Sequence, residues 1–526
     1  MRTPLNISRR FVVVGLAFVF TIIGAGYNQR APLAAANNDA DAGTWQMILL
    51  TSPTQFSVPP PSQVTSLDYQ AELASIKTAQ AHLTTAQRAS IAYWSLGGVV
   101  RWNQVLLELV ARADLPPAPN PDGSYPVPDA NNPFADPMFP FGNPPYAARA
   151  YGYVAVAQYE ALKVAWYYKY LYNRPSPSKV DGGVQALIPS NDLPAYPSED
   201  AVMSGVTVGL LKALFPTSVD EINAKSAEQQ QVALLSGKAS ASDIAAGLAL
   251  GQAIFPVFMA RAGSDGMKAA GGAPAQWQAL ADAAVARGEI PWKSQDIPPR
   301  PPMLPLFGKV KAWMMTPDDI VNERPGAPPS TSSPQMATEL AQVRQAAEHA
   351  TRDQLATVYK WADGPSTPTP SGHWNLIAEP YITNAQFSQV RAARVFALLD
   401  MALHDAAVGC WDTKYFYFSP RPSQLDPDLK TSIALPNFPS YTSGHSTFSG
   451  AAADVLTYLF PSGAAYFDAQ KDEAALSRLY GGIHYQSDNE VGKDHGKRIG
   501  EYTVRFAMHD GADGPLRSTG TAKAAR

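Results

Sequence analysis

An internal repeat constrains the fold of this 526-residue chain more than any other feature. The stretch AARAYGYVAVAQYEALKVAWYYKY (147–170) aligns without a gap on AARVFALLDMALHDAAVGCWDTKY (392–415), at an offset of 245 residues. Both stretches space apolar residues as a helix does, alternating runs are scarce, and the 47 prolines gather between helical blocks. A repeat of helical segments predicts an all-α protein made of two related helical bundles.

Shorter matches extend the repeat in both directions and set the expected domain bounds. LPAYPS (193–198) resembles LPNFPS (435–440), and Trp102-Asn103 matches Trp374-Asn375. Because proline cannot continue a helix, the segment between the bundles is expected to be extended or wrapped over one bundle. The expected division is an export signal at 1–26, an N-terminal arm at 27–83, bundles at 84–260 and 346–510, a proline-rich connector at 261–345, and a disordered tail at 511–526.

The N-terminus has the features of an export signal. Arg2, Arg9 and Arg10 precede the apolar run Phe11–Ile23, and small residues follow at 24–26. The apolar run is shorter than the ~20 residues that a membrane-spanning helix needs, although an uncleaved anchor and twin-arginine export stay open. We therefore expect a periplasmic or extracellular protein, with no later segment that spans a membrane.

Composition narrows the partners and the kinds of site. The net charge is −4, charged residues make up 16%, and no basic run suggests nucleic acid or an anionic membrane. A small molecule is therefore the expected partner. Cys410 is the only cysteine, which excludes disulfides within the chain and cysteine-based zinc sites.

The two halves differ in their histidines. Seven of the eight histidines lie at or after position 349, and only His82 precedes them. The positions aligned with Arg478 and His484 are Ala233 and Ala239 in the first half. Any imidazole chemistry is therefore expected in the C-terminal bundle alone.

Three segments of the second half suit the binding of one tetrahedral oxyanion. The first segment offers an ammonium and a guanidinium. The second offers a hydroxyl and a glycine N–H beside an imidazole. The third offers a second guanidinium with a histidine and an aspartate. If that histidine opens a helix, the aspartate lies one turn later on the same face and can fix its tautomer. The residues are Lys414 and Arg421; Ser443, Gly444 and His445; and Arg478, His484 and Asp488.

The ordered pattern K-x6-R-P, S-G-H and S-R-x5-H-x3-D resembles the three-part signature of a known superfamily. Vanadium-dependent haloperoxidases share this signature with acid phosphatases of the type 2 phosphatidic acid phosphatase superfamily. The stretches WADGP, GHWN, LFGKVKAW and LSRLYGGIHYQSDNE are similar to bacterial haloperoxidase-type members, over roughly residues 84–510. The resemblance also implies that the paired helical bundles are of the four-helix type and that only one of them carries the site.

The resemblance implies a role for each residue of the signature. Lys414, Arg421, Ser443, Gly444 and Arg478 would hold the equatorial oxygens of vanadate or phosphate. His484 would bind vanadium in a peroxidase or attack phosphorus in a phosphatase, with Asp488 orienting it. His445 would be the acid/base that activates peroxide or protonates a leaving group.

Two enzymatic functions therefore share one expected site. A haloperoxidase would oxidise halide with hydrogen peroxide at His-bound vanadate; a secreted acid phosphatase would use a phosphohistidine and no cofactor. Trp411 and Phe438 occupy positions where chloroperoxidase-type enzymes carry Trp and Phe, and chain length also favours a peroxidase, although both rings fit a plain core role. A non-enzymatic oxyanion-binding protein is a third hypothesis.

Other polar motifs are assigned structural roles. The triplet Ser371–His373 precedes Lys414, out of signature order, so His373 is expected to be at most a neighbour of the site. His404 and Asp405 are expected to serve helix packing or to lie at the surface, and Arg394 is expected to be structural, for example in an inter-helix ion pair. Thr316-Pro317 is typical of a helix start.

Overall fold

Helices and their connections make up all of the chain that can be described. The structure is a computed structural model, and it describes residues 38–125, 140–188 and 192–512, which contain no β-strand. The predicted all-α class is confirmed within these residues. The predicted export signal (1–26) lies outside them, as does nearly all of the predicted disordered tail (511–526), so the expected periplasmic or extracellular location stays a prediction.

Capping residues fix where the helices begin. Thr316 caps a helix through the backbone N–H of Asp319, as its sequence predicts. The helices are α1 (Leu67–Ala81), α2 (Thr85–Trp94), α3 (Gly98–Ala113), α4 (Pro144–Tyr172), α5 (Pro177–Val180), α6 (Glu199–Leu214), α7 (Val219–Leu235), α8 (Ala241–Gly263), α9 (Pro274–Ala286), α10 (Pro317–Asn322), α11 (Pro334–Glu348), α12 (Arg352–Lys360), α13 (Thr369–Ala385), α14 (Gln389–Tyr417), α15 (Pro422–Leu425), α16 (Gly444–Leu459), α17 (Ala464–Tyr480) and α18 (Gln486–Ala507).

The helix bounds repeat along the chain. Helices α4 to α8 begin 245 residues before α14 to α18, and α4 and α14 are both 29 residues long. Helices α1 and α2 begin 267 residues before α11 and α12. The repeat thus reaches α1 and α11, which lie in the expected arm and connector, and the expected connector at 261–345 contains α9, α10 and most of α11.

The long helices α4 and α14 form the centre of the molecule. Nearly every residue of both is buried, as expected for helices that are surrounded by others. They cross closely at Gly152, where an added Cβ would lie 3.3 Å from the carbonyl oxygen of Asp400. One hydrophobic core runs through both halves, so the described chain is a single compact unit.

Buried carboxylates on the central helices hold extended segments across each half. Glu160 accepts backbone N–H groups from residues 48–50, and Asp405 accepts those of Trp313 and Met314. His404 lies beside Asp405 and packs against Trp313 and Phe307. This pair therefore has the packing role that the sequence predicted.

Two equivalent ion pairs tie the central helices to the end of each half. Arg149 Nε lies 2.7 Å from Asp265 Oδ2, and Arg394 Nε lies 2.6 Å from Asp510 Oδ2. All four side chains are buried. The ion pair predicted for Arg394 is present, and its counterpart in the first half has the same geometry.

Helix α8 departs from one sequence expectation. By length and composition, α8 together with the turn after it could cross a membrane, and 33% of its most apolar stretch is buried. Helices α6 and α7 pass the same test only if the bent pair counts as one span. By length and composition alone, α8 does not meet the expectation that no later segment is apolar enough to span. One or two such helices are weak evidence because core helices also qualify, and they are consistent with the expectation of no multi-pass membrane insertion.

Candidate active site

The end of α14 and the loop that follows it supply two buried cations. Lys414 lies in the last turn of α14, and its Nζ donates to the carbonyl oxygens of Pro439 (2.9 Å), Ser440 (2.8 Å) and Thr442 (2.5 Å). Arg421 donates from Nε and Nη2 to the carbonyl oxygen of Phe438, at 3.1 and 3.0 Å. Backbone carbonyls thus hold both cations, and neither side chain is exposed.

Arg478 supplies a third buried cation from the last turn of α17. Its Nε donates to Ser477 Oγ (2.9 Å), and its Nη2 donates to the carbonyl oxygen of Trp361 (2.5 Å). Among the described residues, no carboxylate oxygen lies within 4.0 Å of the side-chain nitrogens of Lys414, Arg421 or Arg478. Three cations are therefore buried together without a direct ion-pair partner.

Burial weakens the protonated form of each of these side chains. It lowers the pKa of Lys414 to about 7, and it lowers the pKa of Arg421 and Arg478 to about 10 each. A buried charge without a paired countercharge is costly, so a bound anion would stabilise all three cations at once.

His484 faces these cations in a single tautomer. Arg421 Nη1 lies 2.9 Å from His484 Nε2, and because a guanidinium can only donate, Nε2 accepts. His484 Nδ1 lies 2.8 Å from Asp488 Oδ2. Burial, with Arg421 next, holds the pKa of His484 well below its ordinary value, so the ring is neutral and its one proton is on Nδ1.

Asp488 is held for this contact by two further donors. Its Oδ2 accepts Ser440 Oγ at 2.5 Å and the backbone N–H of Tyr485 at 3.3 Å. Burial raises the pKa of Asp488 to about 6 despite these bonds. The condition that His484 opens a helix is not met, since α18 begins at Gln486, but Asp488 reaches back to His484 from the first turn and the predicted contact forms.

The amino end of α16 completes the cradle. Ser443 caps α16 by accepting the backbone N–H of Ser446, and its own N–H donates to the carbonyl oxygen of Asp488. Gly444 follows as the first helical residue, where an added Cβ would meet only Phe448 Cε2, at 3.9 Å. The first N–H groups of a helix have no partner within it and favour an anion.

His445 lies between the cradle and a carboxylate. Its Nε2 is 3.2 Å from Asp363 Oδ2, although the contact lacks hydrogen-bond alignment. On the other side of that carboxylate, His373 Nδ1 lies 3.0 Å from Asp363 Oδ1. Burial, with Arg478 next, lowers the pKa of His445 to about 4, so its ring is a neutral base at neutral pH.

Two aromatic rings lie against the cations. The rings of Trp411 and Phe438 are 4.9 Å apart, and Phe438 lies 5.0 Å from Lys414 Nζ and 5.1 Å from the guanidinium carbon of Arg421. Trp411 donates from Nε1 to the carbonyl oxygen of Met303. Trp411 thus stabilises packing with the connector, while Phe438 is the ring that contacts the cradle.

The structure brings all the predicted site residues to one place and adds two that the sequence did not single out. Ser440 bonds the carboxylate that holds His484, and Asp363 faces His445. Asp363 stands in the WADGP stretch noted for its resemblance, and Ser440 directly precedes the YTSGH segment. Position near a motif was the only sequence signal for either.

Comparison with known proteins agrees with this architecture. Residues 464–510 match the family model described as the VCPO second helical-bundle domain. The crystal structure of the first bacterial vanadium-dependent iodoperoxidase superposes with a TM-score of 0.54 at 24% identity, over 69% of this chain and 91% of that one. The chain has the fold of the vanadium haloperoxidases.

Two further solved structures are similar to the chain. Apo-type and holo-type bacterial vanadium-dependent chloroperoxidases give TM-scores of 0.48 and 0.47, each at 13% identity. They cover 69% and 73% of this chain and 92% and 96% of their own. A search of curated proteins found no match.

Proposed function

We propose that the protein is a vanadate-dependent haloperoxidase that oxidises halide with hydrogen peroxide. The observation that carries the proposal is the group of three buried cations, Lys414, Arg421 and Arg478, which have no carboxylate within 4.0 Å in the described chain and which lie around a neutral His484, with Arg421 at its Nε2. A bound anion would stabilise such a group, and the similarity to vanadium haloperoxidases supports vanadate as that anion.

The residues present fit a tetrahedral oxyanion. The space beside Gly444 is open, and the donors around it are guanidinium, ammonium, hydroxyl and helix N–H groups, all of which bind oxyanions. Lys414, Arg421, Arg478, Ser443 and Gly444 would hold the oxygens, and His484 Nε2 would bind vanadium. Vanadate, when bound, supplies a Lewis acid that activates hydrogen peroxide toward halide.

The protein's own groups manage the protons and the orientation. Asp488 keeps the proton of His484 on Nδ1, so the Nε2 lone pair, which here accepts Arg421 Nη1, would be the atom that binds the ligand. His445, as a neutral base with Asp363 behind it, would take a proton from peroxide. Carbonyl oxygens hold Lys414, which would contribute its charge from that position, while Arg421 would turn its Nη1 N–H from His484 to the oxyanion.

An acid phosphatase is the second function that the same cradle could serve. A phosphatase needs a protonated histidine that donates to the leaving group, whereas the pKa of His445 lies at about 4 and keeps the ring unprotonated at neutral pH. The lowered pKa of His445 supports peroxide activation, which uses a neutral base, over ester hydrolysis, which uses an acid.

One assay separates the two functions. The purified chain is loaded with orthovanadate, and peroxide consumption with iodide, bromide or chloride is measured beside hydrolysis of a chromogenic aryl phosphate. We expect vanadate-dependent halide oxidation. Phosphate hydrolysis that vanadate inhibits, without any halide oxidation, would contradict the proposal.

Replacing His484 by alanine tests the proposed ligand. His484→Ala should lower halide oxidation by at least about a thousandfold, the scale seen when an essential catalytic group is removed. It should also weaken vanadate binding in calorimetry, a readout that needs no turnover. His349→Ala, at an exposed position far along the chain from the signature, is the matched control and should keep both. Full activity in His484→Ala would show that another residue holds the ligand.

A further inference from the structure

The loop between α12 and α13 places a carboxylate between two imidazoles. Asp363 Oδ1 receives His373 Nδ1 at 3.0 Å, while Oδ2 faces His445 Nε2 at 3.2 Å. The signature accounts for His445 but assigns nothing to His373. The exposed fractions of the His373 and Asp363 side chains are only 17% and 7%, so the contact is largely shielded from water.

Stacking fixes the ring of His373. It lies parallel to Trp361, with ring centroids 4.0 Å apart and an angle of 16° between the planes. Trp361 is itself anchored at both ends, because its Nε1 donates to Glu473 and its carbonyl oxygen accepts Arg478 Nη2. The ring that orients His373 is thereby attached to one of the three cradle cations.

The backbone of the loop is held in an unfavourable conformation. Asp363 and Ser366 in the loop, and Thr369 at the start of α13, have φ of 43°, 65° and 64°, in the left-handed region that residues other than glycine rarely adopt. Such conformations persist where the surroundings enforce them, and they concentrate at functional sites.

The charged groups around this triad come from several elements. Burial would raise the pKa of Asp363, but the hydrogen bond from His373 and the close contact with His445 outweigh it and hold that pKa well below its usual range. Arg478 and Glu473 approach from α17, and the carboxyl of Asp114 at the end of α3 acts on Asp363 from the first half.

We propose that His373 is a positioning residue for the acid/base step. Its N–H holds one oxygen of Asp363, so that the other oxygen faces His445 and sets the basicity of that ring. This inference rests on the proposed role of His445, but the geometry on which it stands does not depend on vanadate, peroxide or halide.

The test measures the pKa of His445 by an NMR titration of the full chain with 13C-labelled histidines. In His373→Phe the carboxylate serves one imidazole instead of two, and a neighbouring imidazole is lost. The charge of Asp363 then acts on His445 alone, so the pKa of His445 should rise by about one unit. This is the scale of the effect of a charge within about 4 to 6 Å. Loss of a resonance in His445→Gln assigns the signal.

Three further variants sharpen the result. His373→Gln keeps a donor for the carboxylate and should give a smaller rise, whereas Asp363→Asn removes the charge and should lower the pKa of His445. His349→Phe, at an exposed histidine, should leave the pKa of His445 unchanged. The vanadate affinity of His373→Phe should match the wild type, while the pH profile of kcat moves with the pKa of His445.

An unchanged pKa of His445 in folded His373→Phe would overturn the inference. If that variant does not fold, His373→Gln decides in the same way. Because the titration is read without turnover, a shifted pKa in a protein that oxidises no halide would refute the proposed function and leave the role of His373 intact. Halide oxidation with an unshifted pKa of His445 would support the proposed function and refute the role of His373.

Discussion

The two halves of the molecule use the same scaffold and differ in how they balance buried charge. In the second half, Lys414 is held by carbonyl oxygens alone. In the first half the equivalent Lys169 also donates to the equivalent carbonyl, of Pro194, but in addition lies 2.8 Å from Glu199. Glu199 stands at the position of Gly444, 245 residues earlier, so the first half carries its own anion where the second leaves space.

The remaining charges of the first half are matched in the same way. Lys238 lies 3.0 Å from Glu199 and 2.6 Å from Asp200, and Arg174 lies 3.5 Å from Asp243. Asp200 occupies the position of His445. The first half therefore differs by more than the absence of histidines, because carboxylates stand at the positions of Gly444 and His445.

The loops that precede the site differ as well. From Trp94 to Trp102 the first half is five residues shorter than the second from Trp361 to Trp374, and the described loop there offers no equivalent of Asp363. Arg101 takes the place of His373 and lies over the ring of Tyr93, at 4.0 Å. The carboxylate between two imidazoles thus belongs to the second half alone.

The strongest test of this comparison places a carboxylate in the second half at Gly444, the position that Glu199 occupies in the first half. Gly444→Glu places a negative charge beside Lys414, and because like charges brought together cost several kcal/mol, vanadate affinity should fall by at least about a hundredfold. Gly444→Ala is the control, since its Cβ has room, and it should bind vanadate about as the wild type does. Calorimetry measures both, and equal affinities would show that charge at this position does not decide binding.

Removing the carboxylate of the first half should lower the stability of that half. Glu199→Ala leaves Lys169 buried without a partner and should lower the free energy of unfolding by about 3 to 5 kcal/mol, measured in urea, with little effect on vanadate binding. Burial would raise the pKa of Glu199, but Lys169 and Lys238 hold it below its ordinary value. The stabilisation is therefore complete at neutral pH and is lost as pH falls, so the variant should also lose less stability in acid.

The exposed pair of Lys179 and Asp192 provides the matched control for that experiment. Asp192→Ala should leave the free energy of unfolding close to the wild-type value, because water already solvates both charges. If Glu199→Ala unfolds no more easily than Asp192→Ala, the carboxylate does not serve as the internal anion of the first half.

The smallest predicted effect concerns pH. The pKa of Lys414 is about 7, so its charge and part of the attraction for an anion are lost as pH rises through that value. Between about pH 7 and about pH 8, the wild-type affinity for vanadate should fall by up to about tenfold more than that of Lys414→Arg, whose guanidinium stays charged. The titration of vanadate is common to both proteins, so parallel curves would contradict the assigned pKa.

The sequence predicted most of the fold and the composition of the site. Helical periodicity, the internal repeat and the cap at Thr316 are local or periodic signals, so they survive without knowledge of tertiary contacts. The ordered signature likewise identified the three cations and His484. It left open whether His484 opens a helix, because the start of α18 depends on a cap at Tyr485 that only the folded backbone reveals.

Tertiary structure decided how those residues work together. The sequence by itself determined which side chains are present and which the first half has lost. Only packing brought Asp363 between His373 and His445, placed Ser440 on Asp488, and set Glu199 against Lys169. Such contacts join residues that are distant in sequence, and helical spacing carries no information about which of them will be in contact. Burial of these contacts then shifts the pKa values of the residues away from those of the isolated side chains.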